Sequence, residues 1–160
     1  MSFRSILRRR EPKALESPAE PPPAAGGEIL QAAGSLPQSR VLLLDDREDF
    51  RDVIGEFLSS RLYHVTAVAN GAEGLREIMK DTFDLIVCDM MMPQVGGEMF
   101  YWAVTRMRPA AGLRFIFITG HQSDPKIQCF FSRINATVLI KPFPLEALSA
   151  ATREVAKKLC

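Results

Sequence analysis

Five polar side chains stand at or directly after the ends of short apolar runs: Asp45, Asp46, Asp89, Thr119 and Lys141. The apolar run of residues 85–88 leads into the carboxylate of Asp89, and Pro93 rules out its continuation as a paired central strand. Burying a charged side chain beside such a run is unfavourable unless the charge is paired or bound to a metal. The residue types therefore indicate a site in which other charged or polar groups converge on Asp89.

The elements that position these groups can be predicted from hydrophobic periodicity. Strand patterns occupy residues 41–44, 63–68, 85–89, 115–119 and 137–140. Helical spacing of apolar residues indicates helices at about residues 48–61, 72–79, 98–108 and 125–132, and a last one from residue 145. Alternating strands and helices are typical of βαβ units with right-handed crossovers. We therefore predict an α/β fold: a doubly wound, five-stranded parallel sheet of flavodoxin-like order 2-1-3-4-5, with helices on both faces.

This strand order brings the polar groups to one rim of the sheet. Ligands bind outside the carboxyl ends of parallel strands, where the order reverses between the first and third strands. Asp45, Asp46 and Asp89 lie at the ends of those two strands, and clustered carboxylates repel one another unless protons or a cation relieve them. Oxygen ligands without a nearby His or Cys favour a hard cation, most simply Mg²⁺. A carboxylate beside Mg²⁺ and the ammonium of Lys141 is well placed to attack a phosphoryl group.

A set of short motifs resembles a known family, and the motifs occur in the family's order. They are Asp45-Asp46, Asp89 with Pro93, Gly96-Gly97, Thr119-Gly120 and Lys141-Pro142-Phe143. Together they resemble the receiver domain of bacterial two-component response regulators, and the resemblance covers the chain from about Arg40 to the C-terminus. Each piece alone is weak, whereas the whole set, with every piece at a strand end, is specific.

The resemblance implies a role for each matching residue. Asp89 matches the phosphoacceptor, Lys141 the lysine that contacts the phosphoryl group, and Thr119 the hydroxyl that turns toward it on activation. The residues that match the Mg²⁺ ligands are Asp45, Asp46, Asp89 and the backbone carbonyl of Met91. The peptide bond between this lysine and the proline that follows is often cis in the family, a state that X-Pro bonds adopt at modest cost.

One position departs from the family's usual pattern. The residue three before Lys141 is usually Tyr or Phe, an aromatic that flips inward with the threonine, and here it is Val138. An aromatic rotamer switch is therefore absent at that position, which puts output by the usual outer-face mechanism in doubt. Met91 and His121 occupy positions that flank the phosphoryl site in the family and that tune the access of water.

The resemblance implies a single-domain response regulator that acts in signalling and not as an enzyme. We expect a sensor histidine kinase or a histidine phosphotransfer protein to supply the phosphoryl group from phosphohistidine to Asp89. Because the chain begins with Met1 and closes with the last receiver helix, we expect a stand-alone protein. It would signal by phosphorylation-dependent binding of a partner, which the sequence does not identify, or by phosphorelay. Its own chemistry would be at most slow self-phosphorylation and self-dephosphorylation.

Three alternatives use the same fold. A degenerate receiver would act as a phosphorylation-independent interaction module, which Val138 makes conceivable although the acidic set and Lys141 are intact. A Mg²⁺-dependent phosphohydrolase would need a second catalytic carboxylate two residues after Asp89, where this chain has Met91. A flavin-binding domain would need a phosphate loop rich in glycine and hydroxyl groups after the first strand, but residues 45–49 are mostly acidic.

The composition indicates the domain organisation and limits the classes of partner. Residues 1–38 are rich in Pro, Ala, Gly, Ser and Glu, so we predict a disordered tail, followed by the receiver domain over residues 39–160. The basic start, residues 1–10, could touch a membrane, but a solvated segment is the simpler interpretation. A formal net charge of +1 gives no reason to expect nucleic-acid binding. Three widely spaced cysteines and the lack of a membrane-length apolar run favour a cytoplasmic protein.

Overall fold

The structure, a computed structural model, describes residues 38–159. Its strands are β1 (Arg40–Leu44), β2 (His64–Val68), β3 (Leu85–Asp89), β4 (Phe115–Thr119) and β5 (Thr137–Ile140). All neighbouring strands pair in parallel, in the order β2-β1-β3-β4-β5. The predicted doubly wound sheet is therefore confirmed, with the reversal of strand order between β1 and β3.

Within the described residues, the α-helices are α1 (Glu48–Ser59), α2 (Gly71–Lys80), α3 (Gly97–Met107), α4 (Pro125–Ser132) and α5 (Leu145–Leu159). Their bounds agree with the prediction to within about two residues. A 3₁₀ helix, Pro109–Arg114, lies between α3 and β4 and was not predicted. Pro109 has no N–H, and its ring disfavours the helical conformation at Arg108, so α3 ends and the chain tightens into the 3₁₀ turn.

Each face of the sheet carries its own hydrophobic core because successive strand residues point to opposite faces. One core lies under α2, α3 and α4, with Leu42 and Phe117 among its strand residues. The other core lies under α1 and α5, with Leu43 and Ile118 among its strand residues. Every residue of β3 is buried, as expected for the central strand of a covered parallel sheet. A charge at the end of β3 therefore needs a paired charge or a metal ion close by.

Two of the helices that begin near the carboxyl edge of the sheet are fixed by side-chain caps. At α2, Asn70 Oδ1 accepts a hydrogen bond from the Glu73 N–H, and Glu73 Oε2 accepts one from the Ala69 N–H, both at 2.9 Å. At α4, Asp124 Oδ1 accepts a hydrogen bond from the Lys126 N–H at 2.8 Å. The bonds from the Glu73 and Lys126 N–H groups satisfy amides that the first helical turn leaves without partners, so these caps determine where each helix begins.

Two predictions from composition concern the ends of the chain and its relation to membranes. The predicted N-terminal tail, residues 1–38, lies almost entirely outside the described residues, and the domain boundary at residue 39 stays a prediction. Within residues 38–159, none of the helices combines the length and the apolar character that crossing a membrane requires.

Candidate functional site

The carboxyl ends of four strands bring the predicted site residues to one edge of the sheet. Asp45 directly follows β1, Asp89 is the last residue of β3, Thr119 is the last residue of β4, and Lys141 directly follows β5. The parallel register aligns β3 with β1 and β4, and β4 with β5, so these ends lie side by side. The structure therefore gathers at this edge the groups that strand-end position alone suggested.

The side chain of Lys141 lies between two buried carboxylates. Its Nζ is 2.9 Å from Asp45 Oδ2 and 3.0 Å from Asp89 Oδ1. Asp45 is 1% exposed and Asp89 is 6% exposed, whereas 21% of the Lys141 side chain reaches the surface. One ammonium thus serves two carboxylates that are almost removed from water, and one negative charge remains in excess when both carboxylates are ionised.

Backbone groups occupy other oxygens of the two carboxylates. Asp45 Oδ1 accepts a hydrogen bond from the Arg47 N–H at 2.9 Å, and Asp89 Oδ2 accepts one from the Met91 N–H at 3.2 Å. The guanidinium of Arg51 donates to the Asp45 carbonyl oxygen at 2.7 Å, which joins α1 to the end of β1. The hydrogen bonds from the Arg47 and Met91 amides, together with the contacts of Lys141, fix the orientation of both carboxylates.

Burial and charge act against each other on the pKa values of this site. Burial raises the pKa of Asp89 above its usual value, although the hydrogen bond and the charge of Lys141 act to lower it, and the charge of Asp45 adds to the increase. For Lys141, burial lowers the pKa, but the hydrogen bonds to both carboxylates outweigh burial, so its pKa is raised overall. The ammonium of Lys141 therefore stays protonated at neutral pH.

The donor chemistry at this edge fits a hard cation. Asp45 and Asp89 offer buried carboxylate oxygens with excess negative charge, and such oxygens are the ligands that Mg²⁺ prefers. Asp46, by contrast, is exposed. In residues 38–159, no three His, Cys, Asp or Glu side chains form a group that could hold a metal ion. The ligand roles of Asp46 and of the Met91 carbonyl therefore stay predictions.

Thr119 and Lys141 are joined through the backbone of adjacent strands. The Lys141 N–H donates to the Thr119 carbonyl oxygen at 2.8 Å, and the Thr119 hydroxyl oxygen accepts a hydrogen bond from the His121 N–H at 3.0 Å. Because a hydroxyl keeps its own O–H while it accepts, this buried threonine retains a donor for a further acceptor. The peptide bond between Lys141 and Pro142 is cis, in agreement with the resemblance.

Comparison with known proteins identifies the family. A family model described as the response regulator receiver domain matches residues 41–153. The chain belongs to the response regulator receiver domain family. The match covers β1 except Arg40, the other four strands, the residues at the carboxyl ends of the strands and most of α5. As a receiver domain, this part of the chain is a signalling module of two-component systems.

Relatives of this receiver domain differ in how much of their own length it covers. The response regulator receiver protein CpdR of Brucella abortus is 32% identical over 109 residues, which are 68% of this chain and 89% of CpdR. The sensor kinase CckA of the same species is 30% identical over 141 residues, which are 86% of this chain and 15% of CckA. The chain spans 25% of the transcriptional regulatory protein GlrR of Escherichia coli, with 29% identity over 71% of this chain.

Solved structures agree with the receiver fold. The chemotaxis protein CheY4 of Vibrio cholerae matches with a TM-score of 0.66 and 30% sequence identity, over 74% of this chain and 98% of that structure. A two-component response regulator from Clostridium difficile matches with a TM-score of 0.68, over 76% of this chain and 98% of that structure. Its sequence identity is 20%, so the second likeness supports the fold alone.

In this receiver domain, the start of α3 packs so closely behind Asp89 that glycine is required there. A Cβ atom at Gly97 would lie 2.6 Å from the Asp89 carbonyl oxygen and 3.0 Å from Met90 Cα. The Gly97 N–H also donates to the Met90 carbonyl oxygen at 3.1 Å. Because both neighbours are backbone atoms, they could not move aside without displacing the end of β3. This close approach accounts for the glycine in the motif after Pro93.

Val138, the position that departs from the family's pattern, lies among aromatic side chains. It pairs with Phe117 across β4 and β5, and it is partly buried against the core under α2, α3 and α4. Phe117 in turn contacts Phe130 and Phe131 of α4, with ring centroids 5.4 and 5.5 Å away. Aromatic packing is therefore concentrated between β4 and α4, whereas Val138 of β5 contributes a β-branched side chain.

The methionines that follow Asp89 occupy two different environments. Met90 and Met92 are buried and pack into the core under α2, α3 and α4. Met91 is half-exposed and lines a groove of about 670 Å³ between α3 and α4, together with the half-exposed Trp102. Apolar surface is therefore accessible directly beside the loop that follows the candidate site.

Sequence reasoning missed one residue at this edge, Phe50. Its helical spacing indicated only a core position in α1, but its ring centroid lies 4.3 Å from Lys141 Nζ. A signal was available, since Phe50 follows Asp46 by four residues, about one helical turn beyond the acidic pair. A residue in the first turn of α1 starts at the same edge of the sheet as the site.

Proposed function

We propose that this chain is a single-domain response regulator that accepts a phosphoryl group from a phosphohistidine donor onto Asp89, with Mg²⁺ as its cofactor. One observation carries the proposal: the ammonium of Lys141 lies 2.9 Å from Asp45 and 3.0 Å from Asp89 at the ligand-binding edge of the sheet. Packing alone gives no reason to bury two carboxylates around one lysine. The relative CpdR supports a response regulator that consists mainly of a receiver domain, because 89% of its length matches this chain.

Asp89 supplies the nucleophile in this proposal. One of its carboxylate oxygens forms a bond to phosphorus while the bond between phosphorus and the donor's imidazole nitrogen breaks. The imidazole keeps the electron pair of the broken bond and takes up a proton. The ammonium of Lys141, 3.0 Å from Asp89 Oδ1, places positive charge close to the phosphoryl oxygens that Asp89 would receive.

The other polar groups of the edge support the same reaction. Mg²⁺ would be held by Asp45, Asp46, Asp89 and the backbone carbonyl of Met91, in line with the oxygen donors present. When bound, this ion supplies positive charge that neutralises phosphoryl oxygens. The hydroxyl of Thr119 would donate its remaining hydrogen bond to one of those oxygens, because its lone pair already accepts from the His121 N–H.

We infer that the phosphorylated state is transmitted through β4 and α4. Phosphorylation adds negative charge, which biases a two-state element close to the modified residue. Thr119 ends β4 beside Lys141, and Phe117 of the same strand packs on Phe130 of α4 at 5.4 Å. Because Val138 offers no aromatic side chain to rotate, the rearrangement would use this contact between β4 and α4 instead.

We also propose partners and a cellular location for this protein. The donor would be a sensor histidine kinase or a histidine phosphotransfer protein, and the output would be partner binding or phosphorelay. The relative CckA is described as a sensor kinase, and 15% of its length matches this chain, which supports a connection to kinase signalling. We further propose a cytoplasmic location, no nucleic-acid partner and no turnover beyond slow self-phosphorylation and self-dephosphorylation.

The alternative is a degenerate receiver that works as a phosphorylation-independent interaction module. Val138 favours this alternative because the usual aromatic switch is missing. The intact set of Asp45, Asp89 and Lys141 favours phosphorylation, because an interaction module gains nothing from a buried excess of negative charge. The two functions therefore differ in whether a phosphoryl mimic at Asp89 changes the domain.

Amide NMR spectra with beryllofluoride, a mimic of a phosphoryl group on a carboxylate, discriminate between these functions. With Mg²⁺ present, we expect wild-type amide shifts to change at Asp89, at Thr119 and along α4. The variant Asp89→Asn should show no such changes under the same conditions. Wild-type spectra that stay unchanged at saturating beryllofluoride would reject the phosphorylated receiver and favour the interaction module.

A further inference from the structure

The ring of Phe50 covers a side of the Lys141 ammonium that the carboxylates leave open. Its centroid lies 4.3 Å from Lys141 Nζ, while Asp45 and Asp89 lie 2.9 and 3.0 Å from the same atom. An ammonium within about 6 Å of an aromatic centroid is attracted by the negative face of the ring. Two carboxylates and one ring thus surround an ammonium whose side chain is only 21% exposed.

The ring itself is held by its own contacts. Phe143, two residues after Lys141, meets Phe50 edge to face, with centroids 6.2 Å apart and ring planes at 86°. The guanidinium of Arg47 lies 5.4 Å from the same ring centroid. Phe50 is also half-buried against the core under α1 and α5. The first turn of α1 therefore packs onto the chain segment that carries the lysine.

This arrangement restricts a side chain that is otherwise flexible. A lysine has a long stem with several rotatable bonds, and water can satisfy its three donors as well as carboxylates can. The face of Phe50 attracts the positive charge and excludes water from one side of the ammonium. The donors of Lys141 are thereby directed toward Asp45 and Asp89.

We propose that Phe50 is a positioning residue that holds the Lys141 ammonium against Asp89 for phosphoryl transfer. The inference rests on the proposed phosphorylation of Asp89, and it adds to that site an aromatic residue of α1. The required property is the face of an aromatic ring and not the volume of the side chain alone. An aromatic substitution should therefore preserve the function, and an aliphatic one should not.

Variants of the full 160-residue chain separate the ring from its volume: Phe50→Leu, Phe50→Tyr and Phe50→Trp. The matched control is Phe57→Leu. Phe57 lies on the same helix, packs against the same core and has the guanidinium of Arg61 4.4 Å from its ring centroid. Each variant is incubated with acetyl phosphate and Mg²⁺, and its phosphorylation rate constant is measured by intact-mass spectrometry over time. Thermal unfolding of each variant is recorded in parallel.

We expect Phe50→Leu to be phosphorylated about fivefold more slowly than wild type, the size expected for losing a cation–π contact to a partly desolvated ammonium. Phe50→Tyr, Phe50→Trp and Phe57→Leu should stay within about twofold of wild type, because a ring remains beside Lys141 in each. Equal rates for Phe50→Leu and Phe57→Leu would overturn the inference. Equally slow Leu, Tyr and Trp variants at position 50 would overturn it as well, because volume would then be the cause.

A second readout does not depend on phosphorylation. Protons above an aromatic face resonate upfield, so the ammonium and neighbouring methylene protons of Lys141 should move downfield in Phe50→Leu and keep their shifts in Phe57→Leu. Unchanged Lys141 signals in Phe50→Leu would overturn the contact, even in a protein that is phosphorylated normally. If wild type takes up no phosphoryl group, the proposed function fails, and these signals alone decide whether Phe50 positions Lys141.

Discussion

Both edges of the sheet pair basic side chains with aspartates, but they do so under different conditions. At the amino edge, Arg40 at the start of β1 forms a two-pronged pair with Asp81, whose Oδ2 lies 2.6 Å from Nη2, and the two side chains are 35% and 47% exposed. At the carboxyl edge, Lys141 lies between Asp45 and Asp89, both of which are buried. At the amino edge, one carboxylate has its own cation and the pair is exposed to water. At the carboxyl edge, two carboxylates share one cation and are buried away from water.

The pKa values at the two edges move in opposite directions. The hydrogen bond from Arg40 lowers the pKa of Asp81, whereas burial raises the pKa of Asp89. The ionised carboxylate is thus favoured by folding at the amino edge and disfavoured at the carboxyl edge. We interpret the first pair as one that supports the fold and propose that the second is arranged for a ligand, since perturbed carboxylates concentrate at functional sites.

The largest effect is expected from removing the cation at the carboxyl edge. Lys141→Met leaves two buried carboxylates facing each other, so the free energy of unfolding should fall by about 3 kcal/mol at pH 7 in the presence of a chelator. The loss should be smaller at lower pH, where protonation of Asp89 relieves the repulsion. Urea unfolding at both pH values measures the loss. A pH-independent loss would show that the charges at this edge do not govern the effect.

A stabilising effect is expected from removing one of the two carboxylates. Because the pKa of Asp89 is raised in the folded protein, its ionisation costs stability as pH rises through that range, and the full cost is present at neutral pH. Asp89→Asn should therefore unfold at higher urea concentration than wild type at pH 7 with a chelator present. The gain should shrink as pH falls through the raised folded-state pKa of Asp89, and it should be absent below the unfolded-state pKa of about 3.9, where both proteins are uncharged at this position. A variant less stable than wild type at pH 7 would contradict the assigned repulsion.

The smallest effect is expected at the amino edge. Asp81→Asn removes an exposed ion pair, so stability at pH 7 should fall only slightly, and the difference should diminish at high salt. The lowered pKa of Asp81 means that its contribution is present at neutral pH and is lost as pH falls through the folded-state value. Thermal unfolding at low and high ionic strength measures both trends. A loss comparable to that of Lys141→Met would remove the distinction between the two edges.

The fold was predictable because its patterns are local. Buried runs alternating with helical spacing leave few arrangements for a parallel sheet covered on both faces, so the strand order followed directly. The 3₁₀ helix Pro109–Arg114 was missed, since six residues that begin with proline carry no periodic signal. The ends of the helices were predicted less accurately than their positions, because the last turn of a helix depends on packing that the local sequence does not encode.

The composition of the site was predictable, and its contacts were not. A residue at the end of a parallel strand lies at the carboxyl edge of the sheet whichever way its side chain points. Asp89, Thr119 and Lys141 could therefore be assigned to this edge from the sequence. The bond between Lys141 and Asp45 joins residues 96 positions apart, and no local pattern encodes it. Phe50 was missed because its contact with the lysine depends on how α1 and the segment after β5 meet.

Intact-mass spectrometry after incubation with acetyl phosphate tests most directly whether the carboxyl edge is a phosphorylation site. The experiment compares wild type with Asp89→Asn, each with and without Mg²⁺. We predict a gain of one phosphoryl group on wild type only when Mg²⁺ is present, and no gain on the variant. A phosphoryl group acquired equally by both proteins, or none acquired by wild type despite measured Mg²⁺ binding, would contradict the assignment of Asp89 as phosphoacceptor.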